Sequence, residues 1–272
     1  MQHLKDKTLL RRFTAMNLAL LMLIGVILSF TSCGNDNGKS DDPLAAKTKQ
    51  LIGDGILAYP SMSADVQCIV DATLTPTDGS GVLPIGLSAS VKFKRANGVA
   101  NMSGSMNYRQ PGSEFTRAVN QYYNNEASWN FDEANNVWVK DDMPCLLYNI
   151  KYDSVSDVTI EKTNGQYIVN GTLDAALTQR IVNRAIRKIS IDPQAENLIG
   201  TVELRYDTQS ETLQSVQLVV TTTQPDETND ENNSTATTPA SGLTLDIANF
   251  MLTMRSIAFN DVNIKLPSGL PQ

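Results

Sequence analysis

The 272-residue chain holds a single histidine, His3, in an N-terminal segment expected to be removed. A mature protein without imidazole excludes a Ser-His-Asp triad, a Cys-His pair and any zinc site built on histidine. Aromatic residues are also scarce, at 6% of the chain, so Tyr122, Tyr123, Trp129 and Trp138 read as packing rather than as a sugar-stacking platform. No glycine-rich phosphate loop, dinucleotide fingerprint or nucleophile elbow occurs. Basic residues are outnumbered 22 to 29, for a net charge of −7, which argues against a nucleic-acid partner. Carboxylates are plentiful, but adjacent pairs such as Asp141-Asp142 fall where a turn is expected, and none is singled out as a hydrolytic pair. The expectation is therefore no enzymatic activity and no cofactor or metal.

What is present begins with an address. Lys5, Lys7, Arg11 and Arg12 precede an apolar run over residues 16–30, the pattern of a secretory signal and too short for a membrane span. The run ends Thr31-Ser32-Cys33-Gly34, which resembles the lipobox of bacterial lipoproteins, with Phe30 where Leu is usual. The resemblance implies cleavage before Cys33 and lipidation of that cysteine. Removing residues 1–32 would leave 240, with the net charge moving from −7 to −10 because four basic residues and one acid are lost. Residues 33–43 are polar and read as a flexible tether. Asp36, Asp41 and Asp42 loosely resemble the export signals of Bacteroides-type lipoproteins, leaving both faces of the outer membrane open. Two or more acyl chains anchor a protein stably, so the expectation is a cell-envelope protein held by lipid.

Residues 44–267 read as one domain. A helical pattern over 44–59 is followed by alternating segments, the signature of half-buried strands. Asn97-Gly98 and Asn164-Gly165 are two-residue hairpin signals. Further strands are expected at 128–131, 137–140, 200–206 and 213–222, and two within 243–266. The sum is about ten or eleven strands in meander order: a mainly β (α+β) chain with a curved antiparallel sheet. Residues 224–241 are nearly devoid of apolar side chains and read as a disordered loop. A helix over 173–189 places Leu177, Ile181, Val182, Ala185, Ile186 and Ile189 on one half of its wheel. Arg180, Arg184, Arg187 and Lys188 fall on the other half, either as a solvated face or as a surface for anionic headgroups. Cys68 and Cys145 either form one disulfide or remain half-buried thiols.

Three stretches carry a family likeness: 129–140 with its flanking tryptophans, 165–171 before the helix, and the strand-turn-strand 206–216. With the lipobox and tether, they resemble the LolA/LolB-like and LppX/LprG-like lipoproteins. The resemblance implies a half-open β-barrel with helices covering its concave face, and non-covalent binding of a lipid or acyl ligand there. Inward-facing candidates for the cavity are Val91, Phe93, Met102, Met106, Val158, Ile160, Ile168, Leu204, Leu218 and Val220. A packed sheet that docks an envelope protein partner is the alternative.

Overall fold

Two sixteen-residue strands pair along almost their whole length at the centre of the sheet. They are β1 (Ser61–Pro76) and β11 (Leu243–Ala258), antiparallel from Ser63 opposite Ala258 to Pro76 opposite Leu243. The structure is a computed structural model and describes residues 43–76, 81–124, 126–132, 135–141, 145–187, 198–222, 243–260 and 262–270. The expected signal segment, Cys33, its tether and the loop at 224–241 lie outside these residues, apart from Pro43.

From β1 the chain meanders to one edge through β2 (Leu83–Ala96), β3 (Val99–Gln110), β4 (Ser113–Tyr123), β5 (Ser128–Asp132) and β6 (Val137–Asp141). It then crosses to the opposite edge and returns through β7 (Val155–Thr163), β8 (Gln166–Leu173), β9 (Leu198–Asp207) and β10 (Leu213–Thr222) to β11. The resulting order is β6-β5-β4-β3-β2-β1-β11-β10-β9-β8-β7, with every pairing antiparallel. The fold is thus mainly β, a curved open sheet of eleven strands with two helices, as the alternation implied. It consists of two meanders joined along the β1–β11 seam, whereas sequence order suggested one continuous meander.

Local sequence explains most of the turns. Ala96 pairs with Val99 and Thr163 with Gln166, so the Asn-Gly dipeptides form two-residue loops with positive φ at all four residues. The last region differs from expectation. Residues 243–266 form one strand rather than two, and 262–270 contain no strand. The reason is the length of β1, which offers β11 partners as far as Ala258, so no turn is needed within the segment.

Alternation along β1 puts Met62, Ala64, Val66, Val70, Ala72 and Leu74 on the buried concave face. Two helices and the crossover cover that face. Helix α1 (Pro43–Ile52) is shorter than the expected 44–59, because Gly53 adopts a φ of 45° and its N–H donates to the Lys49 carbonyl at 2.9 Å. A separate 3-10 turn follows at Gly55–Ala58. Helix α1 is fastened to the β9–β10 turn by the Lys47–Glu211 ion pair and by Gln50 Nε2 donating to Glu211 Oε2 at 2.9 Å.

Helix α2 (Ala175–Arg187) starts where Asp174 Oδ1 accepts the Leu177 N–H at 2.9 Å, an N-cap that the sequence reading placed inside the helix. Leu177, Thr178, Ile181 and Val182 are buried on its inner side. The helix comes close to β9 because residue 200 is glycine, where a Cβ would lie 2.5 Å from the Thr178 hydroxyl oxygen. Residues 145–154 complete the cover, with Cys145, Leu147, Tyr148 and Ile150 buried beneath it.

Candidate functional site

The concave face is not filled evenly. On the β7–β10 side, α1 and α2 close over Val169, Leu204 and Val220, which join one continuous core. On the β1–β4 side a gap of about 170 Å³ remains between sheet and cover. Its floor is made by inward residues of neighbouring strands: Val66 and Cys68 on β1, Leu87, Ala89 and Val91 on β2, Met102 and Met106 on β3. Val119, Gln121 and Tyr123 of β4 form one wall, and Leu218, Phe250 and Leu252 form the other. Ile181, Arg184 and Ala185 of α2, with Cys145 and Leu147 of the crossover, make the roof. Small Ala89 leaves the room, and two unbranched methionines give part of the floor an adaptable surface.

Polar chemistry is confined to one corner, where β4, β5 and β6 meet α2. The Tyr123 hydroxyl donates to Gln121 Oε1, and Gln121 Nε2 donates to Asn130 Oδ1. Arg184 Nη2 donates to Ser128 Oγ at 2.9 Å, its Nη1 lies 3.8 Å from Asp141 Oδ2, and its guanidinium carbon stands 5.9 Å from the centre of the Tyr123 ring. The guanidinium is thus wedged between the aromatic face, a hydroxyl and a partly exposed carboxylate. Burial dominates the remaining ionisable groups. It pushes the Cys68 thiol up to about 12 and the Cys145 thiol, despite the lowering effect of the Leu147 backbone and Arg184, also to about 12. Burial likewise raises the Tyr123 phenol, with Cys145 adding to it and Arg184 opposing. Among the described residues lining the gap, Arg184 is therefore the charged side chain at neutral pH.

The thiols lead to a measurable consequence. Their folded-state values exceed the ordinary 9.0, so between about pH 9 and 12 the native state holds protons that the unfolded chain has released. Stability conferred below pH 9 is lost as pH rises through that window. The urea midpoint should accordingly fall between pH 8 and pH 10. A midpoint that stays level would mean that the thiols ionise as easily in the native protein as in the unfolded chain.

Four of the ten residues expected to face a cavity do so: Val91, Met102, Met106 and Leu218. Phe93, Leu204 and Val220 are buried in the core beside it, and Val158 and Ile160 are half-buried on β7. Ile168 lies on the opposite face, paired with Glu161 and Arg205, while its neighbour Val169 points inward. In Tyr167-Ile168-Val169 the alternation is lost, and a one-residue error of register exchanges the faces.

Cys68 and Cys145 are both free thiols, and both line the cavity. The basic helix face also needs correction. Arg180 is exposed, with its Nε donating to the Ala176 carbonyl at 3.4 Å, but Arg184 turns inward. Arg184 follows Ile181 by three residues, so it borders the apolar half of the helix and not the middle of the polar half. Lys188 and the Arg187 side chain lie outside the described residues. Ala89, Val119, Ile181 and Ala185 also line the gap without having been expected there, although Ala89 shares the inward parity of Val91 and the two helix residues lie on the apolar half of the wheel.

No family model matches the chain, and no curated protein matches it. Among solved structures, LprF from Mycobacterium bovis is similar over 83% of this chain and 98% of its own, at 14% identity and a TM-score of 0.38. A LolA-superfamily protein from Nitrosomonas europaea is similar over 81% of this chain and 95% of its own, at 11% identity and a TM-score of 0.25.

Among the described residues, no group of three or more His, Cys, Asp or Glu side chains is placed to hold a metal ion. The arrangement is suited to binding an apolar group. A recess walled by aliphatic side chains, methionines and neutral thiols removes apolar surface from water and offers one cation at its polar corner.

Proposed function

We propose that this protein is a lipid-anchored component of a bacterial cell envelope that holds a lipid or other hydrophobic ligand non-covalently in the concavity of its half-open barrel. The observation that carries the reading is the gap itself. Protein interiors are packed to the density of organic crystals, and large-to-small gaps in them lower stability. A recess of about 170 Å³ with an almost wholly apolar lining fits an occupant that supplies the missing contacts. The anchor rests on the sequence at Cys33 and would keep the domain at the membrane that stores such ligands. Among the described residues, no helix is long and apolar enough to cross a membrane.

The full chain purified without detergent should carry a co-purifying acyl species in native mass spectrometry. Ala89→Phe, which puts a ring into the floor of the gap, should displace that species while the protein remains folded. A clean apo mass for the parent, together with no uptake from phospholipid vesicles, would sink the proposal and leave docking of an envelope protein as the role of the sheet.

A further inference from the structure

The polar corner of the cavity is incompletely satisfied, and the deficit has one sign. A guanidinium offers five N–H donors in a planar fork and accepts nothing. Arg184 commits Nη2 to Ser128, whereas its Nη1 is buried without a hydrogen-bond partner among the described residues. The nearby Asp141 oxygen, at 3.8 Å, is beyond hydrogen-bond distance, and that carboxylate is 42% exposed against 15% for Arg184. Water therefore screens the acid more than the base. A buried donor left unmade is costly, and a cation beside an apolar recess is costlier still unless an anion meets it.

The Tyr123 hydroxyl and the Gln121 amide stand in the same corner, and Gln121, Tyr123 and Arg184 all line the recess. Val91, Met106 and Leu218 belong to the apolar part of the same lining.

We infer that the cavity selects a single-chain amphiphile with an anionic head, a carboxylate or a phosphate, whose oxygens take the fork of Arg184 while its tail lies along the apolar floor. The inference rests on the cavity-binding reading above and narrows it. A neutral ester carbonyl can accept one N–H but brings no charge to meet the buried cation. A cationic head would be repelled. An oxyanion gives the short, charge-assisted and paired contacts that guanidinium geometry favours. Asp141 is then the internal competitor, the carboxylate that holds Arg184 loosely when no ligand head is present.

The test is calorimetric titration of the full chain, freed of bound lipid, at pH 8 with dodecanoic acid, its methyl ester and dodecyl phosphate. At least one of the two anions should bind tenfold or more tightly than the ester. Arg184→Met should bring the anion-to-ester ratio close to one. Asp141→Asn, which removes the competitor from a partly exposed position, should raise that ratio, and it keeps the inference testable if Arg184→Met fails to fold. The tighter of dodecanoate and dodecyl phosphate tells whether the head is that of a free fatty acid or of a phosphate-bearing lipid.

Equal affinities of the parent for anions and ester would overturn the inference while leaving the cavity reading in place. So would an anion preference that survives Arg184→Met or falls in Asp141→Asn. Failure of all three probes to bind would overturn the cavity reading and the inference together.

Discussion

Phe93→Ala should lower the unfolding free energy by about 3–5 kcal/mol, the cost of deleting a fully buried aromatic ring. Phe93 is 0% exposed and sits on the concave face of β2, opposite Ala64 on β1 and Met102 on β3. Ala64 is too small to fill the space. Met102 can swing part of the way, which would bring the loss toward the lower end of the range. Because Met102 already lines the recess, the vacated volume would adjoin it. Under the proposed function, destabilisation should therefore come with weaker binding of an acyl chain. Urea denaturation followed by circular dichroism measures the first effect, with the slope unchanged if the unfolded state is unaffected. A loss below about 1 kcal/mol would mean that the core here closes up, contrary to the packing described.

Gly55→Ala should cost on the order of 2–4 kcal/mol, although it adds a single methyl group. Two effects combine. Residue 55 has a φ of 60°, which disfavours any residue with a Cβ. The added Cβ would also lie 2.0 Å from the carbonyl oxygen of Ile150, so two backbone segments would have to separate. Those segments are stitched together nearby by the Tyr152 N–H donating to the Gly53 carbonyl at 3.0 Å. Ile56 and Ile150 are buried at the same junction. Displacing the crossover would shift Cys145 and Leu147, which roof the cavity. The variant should thus melt earlier and, under the proposed function, bind an acyl ligand more weakly, as thermal unfolding and titration would show together. Parent-like melting would indicate that the crossover can yield without penalty.

Much of this architecture is legible in the sequence because sheet formation leaves a local trace. Alternation at Val66, Cys68, Val70 and Ala72 marks β1, and the two Asn-Gly pairs mark hairpins that the structure forms at those residues. The seam between β1 and β11 leaves no such trace, since it joins strands far apart in the chain.

The cavity was legible in part, for a related reason. Parity along β2 and β3 identifies Val91, Met102 and Met106 as inward-facing, but parity cannot tell an occupied concave face from an open one. Leu204 and Val220 are as inward as Val91, yet helices cover them. The inward orientation of Arg184 was obscured by its place at the border of the helix wheel, where a solvated and a buried orientation differ by less than one residue's rotation. Its partners Ser128 and Asp141 are contributed by β5 and β6, and nothing near residue 184 points to them.

The β1–β11 seam also sets the timing of folding. The β1–β6 meander can form from local contacts, but the inner edge of β1 stays unpaired until the far end of the chain arrives. Pairing of such distant segments raises contact order and slows folding. During that interval β1 presents a sixteen-residue row of free backbone donors and acceptors beside its apolar concave face, a template for pairing between chains. A protein built this way depends on its last strand for solubility as much as for shape. Loss of β11 would leave two meanders, each with a raw edge, and aggregation would be the expected fate of both.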